Sequence, residues 1–242
     1  MLEIRHAGMD DTHATQHGYN QIYKAEGINQ QDSFYLWLIS LLKAPPASRL
    51  LDISCGEGRL VSLARRQGLF ATGIDFAESA IRDAKVQDAT GMWIIGDGEK
   101  LPVRSECYDY VTHIGSLEHY QDPLAGVQEI SRMLKPDGTA CILLPNSYGL
   151  LGNITYVFKK GDIFDDDQPL QRYNTLKGWQ RLLETYNLQV YKIYKYELPW
   201  PRTFSDFLWY LRHPVKVLHL IISALIPLNL GNCLVYLCRR KF

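Results

Sequence analysis

A short apolar run that ends in an acid and then breaks into glycines constrains this chain more than any other stretch. It spans Arg49 to Leu60, RLLDISCGEGRL. Leu50, Leu51 and Ile53 have strand character, Ser54-Cys55-Gly56-Glu57-Gly58 turns, and Leu60, Val61 and Leu63 resume with helical spacing. A strand, glycine turn and helix in this order aim backbone N–H groups at a ligand, and residues without Cβ let the ligand come close. Asp52 sets the unit apart from a phosphate cradle. It precedes the glycines at the C-terminal end of the strand, where open α/β sheets bind ligands. A carboxylate there repels phosphate and attracts a cation such as an amino group.

From that stretch onward the pattern alternates. Strands are predicted at about 49–54, 70–75, 92–95, 108–114 and 139–144, with helices at about 58–67, 77–86 and 123–134. The turn Gly96-Asp97-Gly98 ends the third strand, Pro136-Asp137-Gly138 turns before the fifth, and Pro145-Asn146 follows it. Such alternation predicts a parallel sheet with helical crossovers. Ahead of it, residues 1–48 form a helical lead-in, with Tyr19, Ile22 and Tyr23 on one helical face and a second apolar helix stopped by Pro45-Pro46. The lead-in either packs on the sheet edge or lies as a lid with Tyr19 or Tyr23 near a ligand. Residues 147–173 read as a long functional or mobile loop. A helix at 175–186, a strand at 188–196, an aromatic-rich segment at 198–213, an apolar helix at 215–226 and a last strand at 233–238 complete the chain.

At 242 residues the chain suits a single domain, 1–242, with decorations. Its formal net charge is zero and its basic residues are scattered, which argues against a nucleic-acid partner. Five cysteines without a C-x-x-C pair, and an N-terminus lacking the order of a secretory signal, predict free thiols and a cytoplasmic location. Lys216, His219, Pro227, Asn229, Gly231 and Asn232 interrupt the apolar stretch 215–238, so no run of about 20 apolar residues survives to span a bilayer. An interfacial helix, with peripheral membrane contact through 200–228, stays open.

Asp52, Gly56 and Gly58 resemble the first motif of class I S-adenosylmethionine (SAM) methyltransferases, and the resemblance runs over about 49–146. Ser54 departs from it, since the family usually has glycine there. The resemblance implies that the glycine turn passes the methionine part of SAM while Asp52 faces its amino end. Asp75, closing the second strand, would accept from the ribose diol, although an acid there also suits a helix N-cap. Phe76 would pack on the adenine. Asp97, Gly98 and Glu99, followed by Leu101-Pro102, are similar to the motif that reads the adenine edge. The family often carries L-E-H after the fourth strand. Here Gly115, Leu117 and His119 would lie between cofactor and acceptor, with Leu117 near the sulfonium and His119 either a general base or a hydrogen-bonded residue at a helix start. Asn146 and Tyr148, with Tyr19 and Tyr23, are candidate acceptor contacts, and Asn146 alternatively caps a turn. Some ubiquinone-biosynthesis relatives hold a metal on E-x-x-E-H; residue 115 is Gly, so no metal is expected. His113, inside the fourth strand, reads as a core residue.

The fold this implies is α/β: a Rossmann-like, doubly wound, seven-stranded sheet, mostly parallel with an antiparallel last strand and helices on both faces. Residues 197–231 become an apolar and aromatic cap inserted before that strand. The implied function is SAM-dependent methyl transfer to a small acceptor, lipid-like if the cap walls its site, with S-adenosylhomocysteine as product and a monomer or homodimer as the unit. A non-catalytic SAM-binding module acting through a partner is the alternative. An NAD-dependent oxidoreductase is disfavoured, because Asp52 precedes the glycines and G-x-G-x-x-G is absent.

Overall fold

The computed structural model describes residues 1–8, 11–25, 27–28 and 30–241; Met9, Asp10, Glu26 and Asn29, within the expected lead-in, and Phe242 lie outside the described residues. After β1 (Leu2–Arg5) come helices α1 (Thr12–Ala25) and α2 (Asp32–Leu42). The alternating region follows: β2 (Arg49–Ile53), α3 (Arg59–Arg66), β3 (Phe70–Asp75), α4 (Glu78–Gln87), β4 (Met92–Ile95), β5 (Tyr108–Ile114), α5 (Pro123–Met133) and β6 (Leu134–Pro145). Then come α6 (Thr155–Lys160), β7 (Leu170–Tyr173), α7 (Leu176–Leu183), β8 (Leu188–Tyr196), α8 (Phe204–Arg212), α9 (Pro214–Leu225) and β9 (Cys233–Arg240).

Seven strands pair in the order β4-β3-β2-β5-β6-β9-β8. β2 to β6 are mutually parallel, and β9 alone runs antiparallel, between β6 and β8. Period-two alternation sorts the side chains onto two cores. Leu51, Ile53, Ile142, Leu144, Leu234 and Tyr236 face one side with Trp179 of α7. Leu50, Cys141, Leu143, Val235 and Leu237 face the other, against α2 and α3. The central strands are buried on both faces, which is why they are apolar at most positions. Local chemistry sets the helix ends. Asp122 accepts from the Leu124 and Ala125 amides ahead of α5, with Pro123 in its first turn. Lys43, in the left-handed region, ends α2.

Two parts differ from the sequence reading. β6 begins earlier than expected, because Leu134 already pairs with Tyr108. The Pro136–Gly138 turn sits inside the strand as a bulge, and pairing resumes at Thr139 opposite Tyr110. The stretch 147–173 is no plain loop. It holds a helical turn, Leu150–Ile154, then α6 and β7, and β7 pairs antiparallel with β1 in a separate two-stranded ribbon.

The α8–α9 hairpin is tied to α2, to its own leading loop and to the sheet by polar groups. Ser33 donates its N–H and its hydroxyl to Asp206, Tyr210 donates to the Pro199 carbonyl at 2.6 Å, and Lys195 from β8 donates to the Ser223, Ala224 and Ile226 carbonyls at the end of α9. An ammonium at a helix C-terminus meets carbonyls that lack intrahelical partners. Asp206→Ala strands the buried Ser33 amide, so a loss of about 1–3 kcal/mol is expected in denaturant unfolding. An unchanged midpoint would show that α8 is not anchored there.

Candidate functional site

The order of the parallel strands reverses between β2 and β5, and a cavity of about 250 Å³ opens at the C-terminal ends of the strands beside that point. Its polar floor comes from the loops after β2 to β5: Asp52, Ser54, Gly56, Asp75, Phe76, Asp97, Gly98, Glu99, Gly115 and Ser116. α1 roofs it with Thr12, Thr15, Tyr19 and Tyr23. An aromatic wall of Phe34, Tyr35 and Tyr196 continues into Ile114, Leu143 and Cys233.

Asp52 is buried at the end of β2, and Thr112 of the neighbouring strand donates its hydroxyl to Oδ1 at 2.6 Å. Burial pushes its carboxyl up to about 7; the Thr112 hydrogen bond opposes this and the charge of Asp75 adds to it. Asp75 clamps the glycine turn. Its Oδ2 accepts from the Gly56 amide at 2.9 Å and its Oδ1 from the Ala77 amide at 2.8 Å. Burial raises it to about 6 against those hydrogen bonds. Two buried acids thus sit at adjacent strand ends, and desolvation opposes the ionisation of both.

The turn between them is backbone-limited. Ser54 lies at φ +56°, in the left-handed region where glycine is at ease and other residues are strained. Its hydroxyl is 2.8 Å from that of Tyr120. The Tyr120 ring closes the floor so tightly that a Cβ on Gly98 would lie 1.8 Å from its hydroxyl. Asp97 accepts from the Glu99 amide at 2.9 Å, folding the loop after β4, and Glu99 accepts from the Asp122 amide at 3.2 Å. Burial raises the Glu99 carboxyl.

His119 lines the cavity and is itself buried. Its Nδ1 bonds to the Leu170 carbonyl, so Nδ1 carries the hydrogen and Nε2 is the ring nitrogen left to accept a proton. Burial lowers its pKa, which keeps the imidazole neutral. Glu118 Oε1 lies 3.9 Å from Nε2, and burial raises that carboxyl to about 8. Tyr19 packs beside it, its ring centroid 6.1 Å from the imidazole and 5.5 Å from Phe76, while its hydroxyl donates to Gln168 at 2.8 Å.

Four residues picked from the sequence stand apart from the cavity lining. Gly58 faces Trp93, whose ring would lie 2.2 Å from a Cβ there. Leu117 is fully buried against Gly126 rather than beside a reacting atom. Asn146 is buried and donates to the Asn229 and Gly231 carbonyls at 2.9 and 2.8 Å, bracing the approach to β9. Tyr148 is exposed. The cap over 197–231 contributes no lining residue; only its flanks, Tyr196 and Cys233, reach the cavity. Conversely, Tyr120, Phe34, Tyr35 and Tyr196 line it without having been singled out. Tyr120 directly follows L-E-H, and Phe34-Tyr35 sit on a helix that reads only as apolar. His113 is fully buried in β5 against Tyr120, with burial lowering it to about 3. Among the described residues no group of three His, Cys, Asp or Glu side chains is arranged to hold a metal ion.

These residues fit the group that the resemblance implies. Asp52, a buried acid whose hydrogen bond comes from the Thr112 hydroxyl, suits an ammonium, and the clamped Asp75 keeps lone pairs for a diol. The loop at Asp97–Glu99 and the Phe76 ring suit a planar base.

The strand order, with acids at three successive strand ends beside its reversal, defines a Rossmann-like α/β fold. Residues 51–142 match the family model described as a methyltransferase domain. The chain is 36% identical over 99 residues to a ubiquinone biosynthesis O-methyltransferase of Neisseria meningitidis, covering 37% of this chain and 41% of the relative. It is 29% identical over 97 residues to a demethylmenaquinone methyltransferase of Corynebacterium glutamicum, covering 40% and 41%. The chain thus spans about two fifths of the length of the curated relatives it matches. The fold likeness runs further. A SAM-dependent methyltransferase structure from Mesorhizobium loti aligns with TM-score 0.63 at 14% identity over 86% of this chain and 98% of that one. The cyclase SpnF aligns with TM-score 0.61 at 17% identity over 87% and 81%. One fold therefore hosts both kinds of protein, and the site has to carry the functional argument.

Proposed function

We propose that the chain is a SAM-dependent methyltransferase acting on a small, lipophilic acceptor. The observation that carries this reading is the buried pair Asp52 and Asp75 at adjacent strand ends beside a cavity walled by aromatic rings. SAM, when bound, supplies a methyl group on a sulfonium that a nucleophile displaces in line. The chain's own contribution is alignment and the exclusion of water. Asp52 holds an ammonium, Asp75 a diol, and Asp97 with the Gly98 and Glu99 backbone the edge of a base that packs on Phe76. Tyr19 and Tyr23 cover the reacting centre from α1, and His119 Nε2 takes a proton from the acceptor where the acceptor carries one.

The wall of Phe34, Tyr35 and Tyr196 supports an acceptor with a planar or otherwise apolar body. The relatives named for ubiquinone and menaquinone biosynthesis support the same chemical class. Incubating the protein with labelled SAM and small phenols or quinols of graded tail length tests the reading. Label transfer that rises with apolar size is expected, and failure to bind SAM at millimolar concentration sinks it. The non-catalytic alternative predicts SAM binding with no transfer to any acceptor.

Asp75 gives a narrower check. Asp75→Ala is expected to weaken SAM binding by about 1–3 kcal/mol, since it strands the diol and the Gly56 amide together. Calorimetric titration reads this directly, and wild-type affinity in the variant would remove Asp75 from the binding set.

A further inference from the structure

α8 and α9 turn most of their apolar side chains to solvent. On α8, Phe204, Phe207 and Leu211 form an i, i+3, i+7 stripe that points to solvent, while Asp206 and Tyr210 point inward. On α9, Val215, Leu218, Ile222 and Leu225 form a second outward stripe joined by Ile221, while Leu220 and Ser223 are buried. Exposure reaches 75% at Phe204, 77% at Val215 and 84% at Leu225, and Trp200, ahead of α8, is 61% exposed. An ordinary surface helix shows the reverse pattern. An apolar surface of this extent rimmed by charge marks an interaction site.

Charge decides the occupant. Arg202, Arg212 and Lys216 are exposed around the stripes. The sole acid between 198 and 228, Asp206, is buried and bonded to Ser33. In a chain of zero net charge, this face is therefore locally cationic. A second copy docked on the same face would meet its own cations with no exposed acid to oppose them. A layer that is apolar inside and anionic at its surface satisfies both features at once. No described helix is long and apolar enough to cross a membrane, so contact would be made along the helix flanks. We propose that the outward face of α8 and α9 seats the protein on an anionic lipid bilayer, with the stripes entering the interface and Arg202, Arg212 and Lys216 at headgroup level. This proposal rests on the surface and not on the methyl-transfer reading.

Pelleting of the full chain with vesicles tests it, without cofactor or acceptor. Phosphatidylcholine vesicles containing phosphatidylserine are expected to bind at least about tenfold more tightly than phosphatidylcholine alone, and raised salt should weaken that preference. Arg212→Ala with Lys216→Ala should erase most of the preference. Leu218→Asp with Ile222→Asp should abolish binding to both vesicles while leaving the circular dichroism unchanged, because both residues are exposed. Equal binding to the two vesicle types, no binding to either, or variants that bind as wild type would overturn the proposal. So would a dimer in lipid-free buffer that Leu218→Asp dissolves, which would assign the face to a second copy.

Discussion

Asp52→Asn is expected to make the protein more stable and to remove cofactor binding. Both effects have one cause. Burial holds the Asp52 carboxyl at about 7 against an ordinary 3.8, a gap worth about 4 kcal/mol at most. Because the folded-state value is the higher one, the fold prefers the protonated acid. Stability is full below the unfolded value and is lost as pH rises toward about 7. Asp75, at about 6, contributes in the same direction over a narrower window. Asparagine keeps an oxygen for the Thr112 hydroxyl and never ionises. A gain of about 2 kcal/mol above pH 7 corresponds to a Tm rise of about 4–8 °C in a chain of this size, and the slope of Tm between pH 5 and 8 should flatten. Parallel Tm curves for the two proteins would show that Asp52 carries no such penalty. The same substitution deletes the counter-charge of an ammonium in a buried site, so SAM affinity is expected to fall at least about a hundredfold. In the wild type, affinity should rise as pH increases through about 7, because only the ionised acid attracts the ammonium. Stability and binding thus pull against each other at one oxygen pair.

Much of this was legible in the chain itself. The strands at 70–75, 92–95, 108–114 and 188–196 lie where the sequence pattern puts them: the inner strands are buried on both faces, while the edge strand at 188–196 is only partly covered and mixes apolar with polar residues. The acids at Asp52, Asp75 and Asp97 could be found because each ends a strand, and strand ends converge in this topology. Other parts had no local signal. β1 and β7 are four residues each and pair residues 2–5 with 170–173, far apart in the chain, so neither LEIR nor LQRY announces a strand. Tyr35 and Tyr196 meet at the cavity only through packing of α2 beside β8. Leu117 was misplaced because an apolar residue in a motif says nothing of which way a short helical turn points it. The sequence leaves the cap open between a wall for the acceptor and an interfacial helix. Asp206 and Tyr210 find their hydrogen-bond partners inward, Ser223 donates to the Leu220 carbonyl of its own helix, and the apolar stripes lie outside. Ser54 was visible as a departure, and its left-handed φ gives the physical reason that glycine suits the position.

His119→Asn is expected to leave SAM affinity within about twofold and to lower kcat by about 10²–10⁴ for an acceptor that gives up a proton, the range for loss of a positioned base. Asparagine is the informative choice because its amide can still donate to the Leu170 carbonyl, preserving the link between the turn after β5 and β7. Alanine would break that link and confuse folding with chemistry. The wild-type pH profile carries the sign. Burial lowers the imidazole, so the neutral, basic form persists below the pH at which a free histidine would protonate, and the acidic limb of kcat should lie below about 6.5. Glu118 shapes the other side. Its carboxyl, raised to about 8 and 3.9 Å from Nε2, is protonated at neutral pH and can release its proton as the imidazolium forms. Glu118→Gln removes that compensation, so kcat should fall by less than in His119→Asn while the acidic limb moves. Wild-type kcat in His119→Asn would mean either that the acceptor reaches the site already deprotonated or that its nucleophile carries no proton. Catalysis would then rest on alignment by Asp52, Asp75 and the aromatic wall alone.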